Sequence, residues 1–256
     1  MTADAAILVV TNSLALPPEA RVDARVPKKL LVEQGAPTTS DKRAIQEGID
    51  ELQWLAACKP ATIGVPSFSD EQREYLEIAV IACVFRAGAK ATRLVELIHR
   101  AIPYPVLLLT ADDGGLTVSA AHKRHAQNEA GRVVIDGVVA ANGLQPETPD
   151  DVGRSFLQSL GLARQPRRDL CALYEGWIAR IEALNAARVN GTYAATDDPQ
   201  TIAQRRQALD ASSQITRQIT GLRAQAKREK QLNRRVDLNL EIQRLEADLA
   251  SHKKNL

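Results

Sequence analysis

The sequence predicts an α+β protein: an N-terminal mixed, largely antiparallel sheet with flanking helices, then an all-helical C-terminal region ending in a long coiled-coil-like helix. Three observations predict it. Short runs rich in Val, Ile and Leu recur as far as Val139 and then stop. Strand and helix signals mix rather than alternate strictly, which favours hairpins over a doubly wound parallel sheet. From Thr201 to Ser251 neither proline nor a glycine pair interrupts a row of helix formers. The boundary falls between Asn142 and Pro149. That gives an α+β domain over 1–143 and a helical region over 148–256, whose long helix covers about 200–251.

Residues 3–15 read as a short apolar helix halted by Pro17-Pro18. Arg25 to Glu33 reads as an extended segment becoming a strand, ended by Gly35 and Pro37. Ser40-Asp41 caps a helix running to about Leu52, with Ala44, Ile45, Ile49 and Leu52 on one face. Leu52–Ala56 and Thr62–Val65 read as strands, and Pro66–Glu74 as a polar loop. Tyr75–Phe85 is β-rich and increasingly apolar, hence central in the sheet.

The most legible unit follows. Leu94, Leu97, Ile98 and Ala101 make the apolar face of a helix that Pro103 and Pro105 terminate. Val106–Leu109 is a buried strand, Asp112-Asp113-Gly114-Gly115 a turn, and Leu116–Ala120 the returning strand of a hairpin. Arg132–Val139 supplies a last strand or bent hairpin. Beyond the boundary, Asp150 or Asp151 caps a helix to Leu160. A second, from Arg168-Asp169, carries Leu173, Trp177, Ile181 and Leu184 on one face. The long helix has two apolar seams, Ile215–Ile219–Leu222–Ala226 and Leu238–Ile242–Leu245–Leu249. Twelve residues separate Ala226 from Leu238, so the heptad breaks and the helix kinks or changes partner.

The formal net charge of +2 hides an asymmetry: 15 Lys/Arg against 19 Asp/Glu over 1–150, and 18 against 12 over 151–256. The basic excess marks the C-terminal part for an acidic partner. Three widely spaced cysteines suit neither a zinc site nor a disulfide framework, which points to a reducing cytoplasm. The apolar start is too short to span a membrane and lacks the basic lead of a signal peptide.

Catalytic signatures are sparse. His99, His122 and His125 lie close in sequence, but no Cys or carboxylate shares a ligand spacing with them, so no metal is expected. A restriction-type nuclease would want an acidic residue on one strand and Glu-X-Lys on the next; Glu77-Ile78-Ala79 places alanine at the lysine position. No glycine-rich phosphate loop appears, and neither a cofactor nor a catalytic residue is expected. Basic groups carry more weight. Lys28, Lys29, His99, Arg100, His122, Lys123 and Arg124 mark the ends of three elements and are candidates to meet a phosphate backbone. Arg223, Lys227, Lys230 and Arg234 build a basic stripe on the long helix. Leu238, Ile242, Leu245 and Leu249 are the candidate partner-binding seam.

The blocks Arg25-Val26-Pro27-Lys28-Lys29, Glu51-Leu52-Gln53-Trp54-Leu55, Arg73–Ile78, Glu96–Pro105 and Ala121–Arg124 together resemble domain-of-unknown-function family 4391. The resemblance runs from about residue 20 to 135. It implies an accessory protein encoded beside a helicase and a site-specific DNA methyltransferase in antiviral-defence or restriction–modification loci. It transfers no catalytic residue. The expectation is therefore a non-enzymatic, cytoplasmic accessory or assembly subunit. It would contact the helicase or methyltransferase, DNA as well, and a second copy of itself. The alternative is a metal-dependent nuclease effector of the same kind of system.

Overall fold

The computed structural model describes residues 3–126 and 133–253. In chain order its elements are α1 (Ala3–Ser13), β1 (Arg21–Arg25), α2 (Lys28–Gly35), α3 (Thr39–Gly48), β2 (Ile49–Cys58), α4 (Pro60–Ile63), β3 (Phe68–Ser69), β4 (Glu74–Tyr75), β5 (Ile78–Phe85) and α5 (Ala91–Ala101). Then come β6 (Val106–Asp112), β7 (Gly115–Ala120), β8 (Lys123–His125), β9 (Val133–Ile135), β10 (Val139–Leu144), α6 (Asp151–Ser159), α7 (Leu170–Asn190), α8 (Pro199–Arg228) and α9 (Leu232–Lys253).

Six strands form one sheet in the order β1-β2-β5-β6-β7-β10. Every neighbouring pair is antiparallel except β5–β6, which α5 connects as a crossover. The mixed, largely antiparallel α+β architecture is the expected one. The central strands β5 and β6 are buried on both faces, which is why their sequences are continuous apolar runs rather than alternating ones. One face buries Ile81, Cys83, Val106 and Leu108 under α2, α3 and α5, through Leu31, Ile45, Leu94, Leu97 and Ile98. Helices α2 and α5 approach so closely that a Cβ on Gly35 would lie 2.6 Å from the Cβ of Ala101. Helix α1 packs on β6 and β7. The β6–β7 turn forms as expected, with Asp112 Oδ1 accepting the Gly114 amide at 2.8 Å and Gly115 at φ 111°.

Several boundaries differ from expectation. The strand expected within 25–33 lies earlier, at Arg21–Arg25, and Pro27 opens a helix, where its missing N–H does no harm. The helix expected to reach Leu52 stops at Gly48, because Ile49–Cys58 pairs with β5 along its whole length. Thr62–Val65 is not a strand. Thr62 accepts the Lys59 amide at 2.9 Å and Gly64 turns left-handed, closing the short helix α4. Tyr75 belongs to the two-stranded ribbon β3–β4, not to β5. The last expected strand divides: β9 pairs with β8, and β10 with β7, while Arg132 lies outside the described residues.

Strands end at Leu144, yet the compact N-terminal unit runs on to Ile181. Its extra helices are anchored: the Trp177 indole donates to Leu160 O at 2.9 Å, and Tyr174 bonds to the sheet, as described below. The second unit begins at Glu182 and contains the end of α7, α8 and α9. The helix expected over about 200–251 is two helices. Glu229 takes an extended conformation, its carboxylate accepts the Gln231 amide at 2.8 Å, and α9 restarts at Leu232. The two pack on each other, and Arg223 on α8 meets Glu246 on α9 at 2.6 Å. A continuous helix would hold those residues about 35 Å apart at 1.5 Å per residue. The chain folds back as a helical hairpin.

Candidate functional site

The expected basic groups of the sheet do not converge. Lys28 donates to the carbonyl of Ile49, whose partner Phe85 ends β5. His99 and Lys123 lie at the other end, where Ala79 of β5 faces Val106. His99 is fully buried, with Nε2 3.0 Å from Ser119 Oγ, and burial followed by the charge of Lys123 pulls its pKa down to about 3. Lys123 is 3% exposed; it donates to His99 O and to Ile102 O (2.8 Å), capping the negative end of α5. Burial lowers its pKa to about 7, while those carbonyls favour the ammonium. Neither side chain is placed to touch a phosphate. Arg124 and Arg73 share Asp136 at 2.5 and 3.1 Å, Arg100 meets Glu96 at 3.3 Å, and Lys29 lies 3.6 Å from Glu33. The expectation of a phosphate-binding cluster from these seven residues is thus corrected for His99 and Lys123. For the others it is weakened by their carboxylate or carbonyl partners.

His122 instead belongs to a hydrogen-bonded node. Its Nδ1 lies 2.7 Å from Tyr75 Oη, and its Nε2 meets Glu175 of α7. Tyr174 stands beside it, with ring centroids 5.6 Å apart, and its hydroxyl donates to Val106 O at 2.7 Å while accepting the Ala121 amide at 2.8 Å. Burial raises the pKa of both tyrosines. With Tyr75 and Tyr174 fully buried, no substrate reaches either hydroxyl, so the node ties α7 and the β3–β4 ribbon to the sheet. Neither tyrosine was singled out from sequence, since an isolated Tyr carries no periodic signal.

The carboxylate at the nuclease-like position has a partner after all. Lys59, at the end of β2, reaches Glu77 Oε2 at 2.9 Å, whereas Glu77 Oε1 is buried without a hydrogen-bond partner. The amine comes from the neighbouring strand, not two residues downstream. Among the described residues, no group of three or more His, Cys, Asp or Glu is placed to hold a metal ion. A separate cleft of about 340 Å³ opens between α1 and the β1–β2–β5 face, lined by Asp4, Leu8, Arg21, Asp23, Glu51 and Gln53 among others. Ala15 and Asp23, the two non-glycine residues with positive φ among the described residues, both border it.

The hairpin is where exposed groups gather. Ile219, Ala226 and Ile242 are buried, and Ile215, Leu222, Leu238, Leu245 and Leu249 half-buried, so the two expected seams close on each other. Leu238, Ile242, Leu245 and Leu249 are therefore spent inside the chain and do not form an open partner seam. At the tip, Lys227, Arg228, Lys230, Arg234 and Arg235 are exposed and have no ion-pair partner among the described residues; Glu229 and Asp237 are the acids nearby in sequence. Arg223, the first residue of the expected stripe, is held by Glu246. Between the cations the outer side of α9 exposes Leu232 (64%), Val236 (49%) and Leu240 (50%). In sequence this second apolar row is masked by the stronger Leu238–Leu249 seam on the same helix.

Residues 14–249 match the family described as Domain of unknown function (DUF4391). The chain belongs to this family. The match spans both compact units, so the hairpin is part of the family's shared extent. No curated protein and no solved structure matches the chain. No described helix is long and apolar enough to cross a membrane.

Proposed function

We propose that this DUF4391 protein is a cytoplasmic, non-enzymatic accessory subunit of a helicase- and DNA-methyltransferase-associated defence system, and that the tip of its α8–α9 hairpin is the docking element. The observation that carries the reading is the unpaired cationic tip, Lys227, Arg228, Lys230, Arg234 and Arg235, set beside exposed leucines and a valine. Cations interleaved with apolar side chains fit an acidic, partly apolar groove on a protein better than a phosphate backbone, which would leave Leu232 and Val236 in water. Exposed charge of one sign also speeds encounter with an oppositely charged surface.

The test is co-purification from the native operon, with the retained helicase or methyltransferase identified by mass. Wild type should retain one of them, and Lys227→Glu/Arg228→Glu/Lys230→Glu/Arg234→Glu should lose it while keeping its helicity. Equal retention by both proteins, or by neither, sinks the reading. DNA contact would appear instead as binding whose logarithmic salt slope flattens by up to about 0.9 per cation removed. The nuclease alternative draws support from the ion pair between buried Glu77 and exposed Lys59. It predicts magnesium- or manganese-dependent degradation of plasmid or single-stranded DNA that Glu77→Gln abolishes.

A further inference from the structure

Helix α9 carries a second heptad. Asn233, Val236, Leu240, Gln243, Ala247 and Ala250 follow at intervals of three, four, three, four and three residues, and all six are exposed. At about 100° per residue this row sits roughly 150° around the helix from the Leu238–Leu249 seam. Helix α8 covers the seam, and among the described residues nothing covers the row.

The row is complementary to itself when reversed. Laid antiparallel on a second copy, with the two-fold axis between Glu241 and Ile242, it sets Leu240 against Gln243, Val236 against Ala247, and Asn233 against Ala250. Each large apolar residue then meets a small one or an amide, the alternation that lets two helices approach closely. The same register brings Asp237 beside Arg244 of the second copy and, by symmetry, Arg244 beside its Asp237. These two residues are exposed, lie one heptad apart on the same flank, and have no ion pair within the chain among the described residues. In antiparallel pairs equal flanks face each other, so both ion pairs form. A parallel arrangement would set Asp237 against Leu232 and Arg244 against Asn239, with no ion pair at all.

We propose that α9 pairs antiparallel with α9 of a second copy, so that two hairpins close into a two-fold, four-helix bundle. The pairing takes up Val236 and Leu240, which lie beside the cationic tip, and leaves Leu232 and the five tip cations outside its row; it stands whether or not those cations dock a partner. Its contact is isologous, as expected of a symmetric homodimer.

Light scattering on the full chain over a range of concentrations tests it. Wild type should run at twice the chain mass, and Leu240→Glu should run as a monomer with unchanged far-ultraviolet circular dichroism. Asp237→Arg and Arg244→Asp should each weaken self-association about tenfold, since two attractive pairs become two repulsive ones. Mixing those two variants one to one should restore wild-type affinity, because each copy then offers what the other lacks. A wild-type monomer at every concentration overturns the proposal, as does a Leu240→Glu dimer of undiminished affinity. A mixture no tighter than its components overturns the antiparallel register.

Discussion

Tyr174→Phe probes the anchoring of α7 on the sheet. The hydroxyl donates to Val106 O and accepts the Ala121 amide, at 2.7 and 2.8 Å, with no solvent access to either bond. The phenylalanine ring fills the same space, so packing is retained and only the polar links are lost. A buried amide and a buried carbonyl stranded without a partner cost about 1–3 kcal/mol each. The pair should therefore cost roughly 3 kcal/mol in all, or a melting temperature lower by about 6–12 °C in a unit of this size. Thermal unfolding followed by circular dichroism measures it. Tyr104→Phe is the control: Tyr104 is exposed, and its loss should stay within about 0.5 kcal/mol. A Tyr174→Phe protein that melts within about 2 °C of wild type would refute the view that this hydroxyl ties helix to sheet.

Leu108→Asp, at the centre of β6, should destabilise by about 3–5 kcal/mol or prevent folding, as read from denaturant midpoints, because it buries an unpaired carboxylate. Ala15→Gly should stabilise by roughly 0.5–1 kcal/mol, since Ala15 is exposed and held at φ 48°; an unchanged midpoint would show that no strain is stored there. Acidification should act through His99. Its folded pKa lies below its unfolded one, near 6.5, so the unfolded chain binds the extra proton first. The His99 contribution is then complete above about pH 6.5 and falls by up to about 1.4 kcal/mol per pH unit toward pH 3. His99→Gln should flatten that loss between pH 6.5 and 4.5, a window above the range in which Asp41, held down to about 2 chiefly by Arg93, titrates.

What the sequence made legible was what has a period or a hard stop. Val106–Leu109, the Asp112–Gly115 turn and the α5 face announce themselves through continuous apolar runs, glycine and proline. The misread stretch at 25–33 has no clear period, and its helix is fixed by close contact with α5 at Gly35. The hairpin turn was hidden because Glu229-Lys230-Gln231 contains no glycine or proline; its signal was the twelve-residue gap between seams. In sequence that gap reads as a kink or a change of partner; in the structure it is the length of chain needed to bring one seam back onto the other. The basic groups misled for a different reason. Charge at an element's end looks the same in sequence whether it faces solvent or caps a helix, and Lys123 does the latter.

Both the docking tip and the two-fold face depend on α8 and α9 folding back on each other. The direct measurement is the distance between nitroxides at Arg223→Cys and Glu246→Cys, in a chain whose Cys58, Cys83 and Cys171 are replaced by alanine. The labelled protein is diluted into unlabelled protein so that only distances within one chain are read. A hairpin with these positions in ion-pair contact predicts a single narrow distribution at about 20 Å or less. A distribution centred near 35 Å, the span of 23 residues at about 1.5 Å each in an unbroken helix, would contradict it.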